Sequence, residues 1–151
     1  MQINWKCVPF QELSLTELYD LMQLRQEVFI VEQDCPYLDA DGTDQVSWHL
    51  MGFDEDSDMV AYTRLIPKDI SYKNALSIGR VVNAKKVRGK GVGRLLMKES
   101  IAQLEQLFGQ ETIILSAQCY LLKFYQSLGF KPVGEEYLED GIPHIKMKKT
   151  Y

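Results

Sequence analysis

Three features of the chain predict a mixed α/β layer fold. Extended, apolar-rich runs alternate with stretches of helical periodicity in the order β-α-β-β-β-α-β-α-β. One run, "TIILSAQ" at 112–118, is almost wholly apolar, the pattern of a strand buried on both faces. Gly109 and Gly129 stand where the two later helical stretches must stop. With 151 residues and no repeat, low-complexity segment or Pro/Ser-rich linker, a single domain over residues 1–151 is expected.

Residues 2–9 alternate well enough for a first strand. Ser14 and Glu17 then form a capping box: the serine hydroxyl takes a free N–H of the third helical residue, and Glu17 reaches back. Leu15, Leu18, Met22 and Phe29, joined by Leu21, Leu24 and Val28, give the stripe of an amphipathic helix ending near Val31, before the Asp/Gly-rich "DCPYLDADGTDQ". "VSWHLMGFDE" and "DMVAYTRLIP" read as strands separated by a turn over 55–58, and "ALSIGRVVN" as the next. A helix is predicted from about Gly91 to Phe108, with Val92, Leu95, Leu96, Ile101, Leu104 and Phe108 on one side. "YLLKFYQSLGF" reads as a short helix and "HIKMKKTY" as the last strand.

A hydrophobic content of 46% with 25% charged residues is that of a soluble globular protein. No apolar run nears the ~20 residues of a membrane span, and "MQINWKCVPFQEL" lacks the apolar stretch of a signal peptide. Cys7, Cys35 and Cys119 spell neither a disulfide framework nor a zinc site. A reduced, cytoplasmic setting with no membrane partner is therefore expected. The net charge of −4 speaks against a nucleic-acid partner. Lys85, Lys86, Arg88, Lys90 and Arg94 nevertheless fall together with no acid among them, a local patch suited to a compact polyanion.

That patch overlaps "VRGKGVGRLLM" at 87–97. It is not a P-loop, which needs G-x-x-x-x-G-K-[ST], nor the dinucleotide fingerprint G-x-G-x-x-G, since Val92 and Arg94 stand where that pattern wants glycine. What remains is strand, basic loop and helix start, with glycine at 89, 91 and 93. Unpaired N–H groups at a helix start sit at the positive end of its dipole, and glycine leaves them uncovered, so a phosphate can approach.

Arg88-x-x-Gly91-x-Gly93 after "SIGRVV" resembles the R/Q-x-x-G-x-G/A signature of the GCN5-related N-acetyltransferases (GNAT). "FYQSLGF" resembles the family's second landmark, at the usual separation. "LRQEVFIVEQDCPYLDADGTD", "AQCYLLKFYQSLGF" and "YLEDGIPHIKM" resemble the ElaA-like subgroup. "RQEVFIVEQ" alone is also similar to acyl-homoserine-lactone synthases. The resemblance implies a mostly antiparallel sheet of about six to seven strands, splayed between the fourth and fifth and flanked by helices. It implies an enzyme that moves an acetyl group from acetyl-CoA, with no metal, to a primary amine on a small molecule or protein. A non-catalytic acyl-CoA sensor and a lactone-synthase-like enzyme are the alternatives. Oligomeric state stays open, with a homodimer as one option.

By the same resemblance, Val81 and Val82 lie on the strand that pairs with the pantetheine arm, and the N–H near Val82 would polarise the thioester carbonyl. Arg88, Gly89, Lys90, Gly91, Val92 and Gly93 would surround the pyrophosphate, with Arg94 and Lys86 adding charge. Gln118 stands where many relatives have a cofactor-contacting Asn, and Lys123 points either toward the CoA phosphates or into solvent. Tyr125 matches the tyrosine that meets the departing thiolate, as proton donor or as hydrogen-bond donor.

The family's usual glutamate base is missing, for Gly79-Arg80 stands in its place. His49 and His144 are the only histidines and titrate in the useful range. His144, in "EDGIPHIKM", and Glu32 are the candidates on the acceptor side; Arg80 and Glu32 could equally form a buried ion pair. Asp39, Asp41 and Asp44 invite three readings: a solvated loop, an amine-binding pocket, or a metal loop that lacks calcium-loop spacing.

Overall fold

The computed structural model describes residues 2–151. Seven strands form one sheet: β1 (Asn4–Pro9), β2 (Trp48–Phe53), β3 (Met59–Ile66), β4 (Leu76–Asn83), β5 (Ile113–Gln118), β6 (Lys131–Glu139) and β7 (Ile142–Lys149). Their order is β1-β2-β3-β4-β5-β7-β6, antiparallel at every pair except the parallel β4–β5. Helices α1 (Leu15–Arg25), α2 (Val92–Phe108) and α3 (Leu122–Gln126) complete the fold. No helix among the described residues is long and apolar enough to cross a membrane.

The helices sit where local chemistry starts and stops them. Ser14 Oγ accepts the Glu17 N–H at 3.0 Å while the Glu17 carboxylate accepts the Ser14 N–H at 2.9 Å, closing the predicted capping box. After Arg25 the helix widens over Gln26–Glu32, with Gln33 and Cys35 donating to carbonyls five residues back. Leu21 and Leu24 of α1 pack with Met51, Tyr62 and Val82 on one face of the sheet. Leu96, Met97 and Leu104 of α2 pack with Leu50, Leu65, Ile78 and Leu115 on the other, where Tyr125 and Phe130 join them.

One strand departs from the sequence reading. β6 is exposed at every residue, carries Pro132, and is interrupted by an irregularity between Val133 and Tyr137 that contains Gly134 at φ 81. No face of it is buried, so no period-2 pattern marks it.

Candidate functional site

The parallel pair β4–β5 holds for only two partners, Leu76 with Ile113 and Ser77 with Ile114, before the strands part. Backbone groups of β4 beyond that point have no neighbour on the β5 side, and unpaired main-chain groups call for a hydrogen-bonding occupant. The gap is a cavity of about 660 Å³, lined by Val81, Val82 and Asn83 from one wall and Leu115, Ser116 and Gln118 from the other. Tyr125, His144, Arg88, Gly93 and Glu32 also line it.

β4 is bulged where it faces the gap. Tyr62 pairs with Val82 and Arg64 with Gly79, so Arg80 and Val81 stand opposite Thr63 alone. Arg80 adopts φ 51, a left-handed conformation costing a non-glycine residue about 1 kcal/mol. It is held there by Asp39, whose Oδ1 accepts from Nε at 2.8 Å, and by Asp41 at 3.2 Å. The same aspartates and Asp44 engage Arg25 and Arg64: Arg25 Nε reaches Asp39 at 2.8 Å, and Arg64 Nη1 reaches Asp41 at 2.8 Å and Asp44 at 3.0 Å. Three arginines thus meet three aspartates. The "DADGTD" acids are therefore taken by arginines, not left as a solvated loop or a free amine pocket, and in place of the alternative Arg80–Glu32 pair Arg80 holds Asp39 and Glu32 holds Arg88. Burial works to raise the Asp41 carboxyl, but hydrogen bonds and charge from Arg64, with Arg80, bring it down to about 2.

The glycine loop presents an open helix start. Gly89 and Gly91 adopt φ 75 and φ 79, and no atom lies within 4 Å of where a Cβ would stand on either. Gly91 caps α2 without a side chain, and the first helical carbonyl acceptor is used only at Leu95, so the N–H groups of Val92, Gly93 and Arg94 find no partner within the helix. Asn83 lies alongside: its Oδ1 is buried without a partner, and its Nδ2 is 3.1 Å from a Cβ built on Gly93.

The charges of the basic patch are partly engaged elsewhere. Lys86 bridges Asp54 and Asp58 at 2.8 Å each. Arg94 donates to Ser127 Oγ at 2.9 Å and lies over the Phe124 ring. Arg88 pairs with Glu32 through both its terminal nitrogens and also donates to Asn83 O at 3.2 Å. That pairing holds the Glu32 carboxyl below the usual carboxylate range, which makes it a weak base. Lys90 and Lys123 are exposed, and Lys123 does not line the cavity.

Tyr125 is 4% exposed, edge-on to Phe124 and Phe130, and burial pushes its hydroxyl up to about 12. His144 pairs across the ladder with Gln118, and both line the cavity. His49 is fully buried away from it: Nε2 donates to Asp44 O at 2.9 Å, so Nδ1 accepts from Tyr62 Oη at 2.6 Å, and burial holds its pKa down. Asn83, Glu139 and Tyr137 escaped the sequence reading. The first ends β4; Glu139 precedes an Asp140-Gly141 turn that sets its cross-strand position.

The split mixed sheet with a glycine-started helix at the split has the layout that the resemblance to the GNAT acetyltransferases implies, and comparison bears on it directly. The chain belongs to the GNAT acetyltransferase family: the model of the acetyltransferase (GNAT) domain matches residues 27–151. Among relatives, the protein ElaA of Escherichia coli K12 is 42% identical over 149 residues, covering 97% of this chain and 96% of that one. The crystal structure of Escherichia coli ElaA superposes with a TM-score of 0.90 at 41% identity, covering 98% and 99% of the two chains. An acyl-CoA N-acyltransferase from Pseudomonas aeruginosa superposes with a TM-score of 0.93 at 42% identity, covering 99% and 100%.

Proposed function

We propose that the chain is an acetyl-CoA-dependent N-acetyltransferase that acts on a primary amine in the cytoplasm. The observation that carries this reading is the wedge beyond Ser77 and Ile114, which opens beside the start of α2, where no side chain caps the helix. Gly89 and Gly91, with open space where a side chain would stand, and the free N–H groups of Val92, Gly93 and Arg94 at the helix start fit a pyrophosphate. Lys90 and Arg88 add positive charge, and the orphaned Asn83 Oδ1 offers an acceptor to a ligand donor. Bound there, acetyl-CoA supplies an activated acyl group.

The protein's own part is to place and polarise. The bulge at Arg80 turns Val81 and Val82 toward the gap, where a backbone N–H supports charge developing on a carbonyl oxygen. Tyr125 holds its proton: transfer to a thiolate of reference pKa would be uphill by about 5 kcal/mol, so it acts as a hydrogen-bond donor. Proton removal from the amine falls to His144, since Glu32 is paired and His49 lies in the core. Bringing amine and acyl donor together supplies much of the rate.

Calorimetric titration with acetyl-CoA, beside CoA, dephospho-CoA and S-adenosylmethionine, tests the reading. Micromolar binding of acetyl-CoA, weakened in Arg88→Ala/Lys90→Ala, is expected. Binding of S-adenosylmethionine but neither CoA species would overturn it.

A further inference from the structure

Two contacts of the His144 ring set a nitrogen against a carboxylate at the cavity. Nδ1 lies 2.7 Å from the carbonyl of Ile142, and since a carbonyl only accepts, Nδ1 carries the hydrogen. In the neutral ring, Nε2 is then a bare acceptor. What faces it, at 3.3 Å, is the Oε2 atom of Glu139, a second acceptor.

The surroundings hold this arrangement in place. Asp140 and Gly141, at φ 50 and φ 79, make a two-residue turn that sets Glu139 opposite Ile142. Tyr137 stacks on the His144 ring at 6.2 Å and shares a hydrogen bond with Ser116. Cys35 donates to Asp140 O at 3.5 Å, tying the turn to the segment after α1.

Charge selects what can enter. Glu32 is matched by Arg88, and Asp39, Asp41 and Asp44 by Arg25, Arg64 and Arg80, whereas Asp140, next to Glu139 in the turn, also lines the cavity and adds to the negative charge there. Two aromatic faces are also taken, Tyr37 by Arg80 and Tyr72 by Lys146. Among the described residues, no lysine or arginine pairs with Glu139, and β4 carries no acid.

We propose that His144 and Glu139 together form a receptor for a primary ammonium ion, with Glu139 holding its charge and Nε2 of His144 taking its proton. The acceptor therefore enters charged and is made nucleophilic inside the cavity. One N–H bond of the ammonium breaks, its proton moves to Nε2, and the electron pair stays on nitrogen as the attacking lone pair. The imidazolium so formed is balanced by Glu139 at 3.3 Å. On acyl transfer the C–S bond breaks as the C–N bond forms, and a second proton from nitrogen leaves with the thiolate as thiol. This last step rests on the transferase reading; the ammonium site does not.

With only two histidines in the chain, and His49 deep in the core, ring NMR signals report on His144 cleanly. The probe is n-butylammonium chloride, added at pH 7.5 to the full chain, with n-butanol as its uncharged counterpart. A saturable shift of the His144 ring signals with butylammonium alone is expected. Glu139→Gln should raise its half-saturation about tenfold, and Glu139→Asp should restore part of the loss. Equal shifts with butanol, or an unchanged half-saturation in Glu139→Gln, would overturn the proposal. Acetyl-CoA titration of the same samples separates the two readings. If acetyl-CoA binds none of the proteins while the butylammonium response survives, the transferase reading fails and the ammonium site stands.

Discussion

Arg80 donates from Nε to Oδ1 of Asp39 at 2.8 Å, and does so from φ 51 in the middle of a strand. The pair couples the loop after α1 to the bulge that aims β4 at the cavity. Asp39 is 4% exposed and also receives Arg25, which is fully buried. Asp39→Ala should therefore leave buried cationic charge with a partner missing, a loss of about 3–5 kcal/mol that urea unfolding would read. A loss under 1 kcal/mol would show that Asp41 and Asp44 suffice.

The same cluster sets how stability responds to acid. Asp41 is brought to about 2, and Asp44 is lowered by Arg25 and Arg64 against its burial. A carboxyl whose pKa is lower folded than unfolded stabilises the fold above its unfolded value and loses that contribution as pH falls through the folded one. His49 is likewise held down, by burial, so its neutral form favours the fold. Stability should begin to fall below about pH 6.5 through His49, then steeply between about pH 4 and pH 2 through the aspartates. Asp41→Asn should flatten the lower part of a melting-temperature profile and leave the upper part in place.

Much of this fold was legible because its signals are local. The Ser14–Glu17 box and the Gly109 stop each lie within a few residues and formed where expected; the α2 stripe formed through Val92, Leu96 and Leu104, but Leu95 turns out to solvent and Met97 is buried. Gly89 and Gly91 were legible as an open turn at the start of α2, since glycine alone takes positive φ without cost. The arginine–aspartate cluster was not: its cations come from α1, β3 and β4, and an ion pair between distant residues leaves no periodic trace. Arg88 and Glu32 are 56 residues apart for the same reason. The His144–Glu139 pair could have been anticipated, since an Asp-Gly turn between strands sets the register of its flanks.

Tyr125 provides a test of how the thiolate is met. With its hydroxyl pushed up to about 12 by burial, Tyr125 would, in the proposed reaction, meet the thiolate as a hydrogen-bond donor without ionising. Tyr125→Phe should lower kcat about 10- to 100-fold, the worth of one such bond to developing charge. The alkaline limb of the rate profile should keep its position, because Tyr125 does not titrate there. A limb that vanishes in the variant would mean that Tyr125 does transfer its proton.

Gly91 bears on the phosphate cradle through its backbone. Gly91→Ala meets no neighbouring atom within 4 Å, so its cost is conformational, about 1 kcal/mol for a Cβ at φ 79. If the α2 N–H groups hold the pyrophosphate, acetyl-CoA affinity should fall by more than that cost accounts for, because a methyl group at the helix start restricts the close approach that glycine leaves open. Melting temperature and titration together separate the two effects.

Glu32 and Arg88 make the last case, because each was a candidate for a different task and they hold each other. Arg88 shares its guanidinium between the Glu32 carboxylate and Asn83 O, at the rim of the cavity where the α2 start opens. If Arg88 serves the pyrophosphate, Glu32 competes with the ligand for it. Glu32→Gln should then tighten acetyl-CoA binding by about two- to fivefold, the scale of an exposed ion pair. Arg88→Ala should weaken binding, and the double variant should match Arg88→Ala, since Glu32 acts on the ligand through Arg88. If Glu32 were instead the base, Glu32→Gln would leave affinity unchanged and abolish the acid limb of the rate profile.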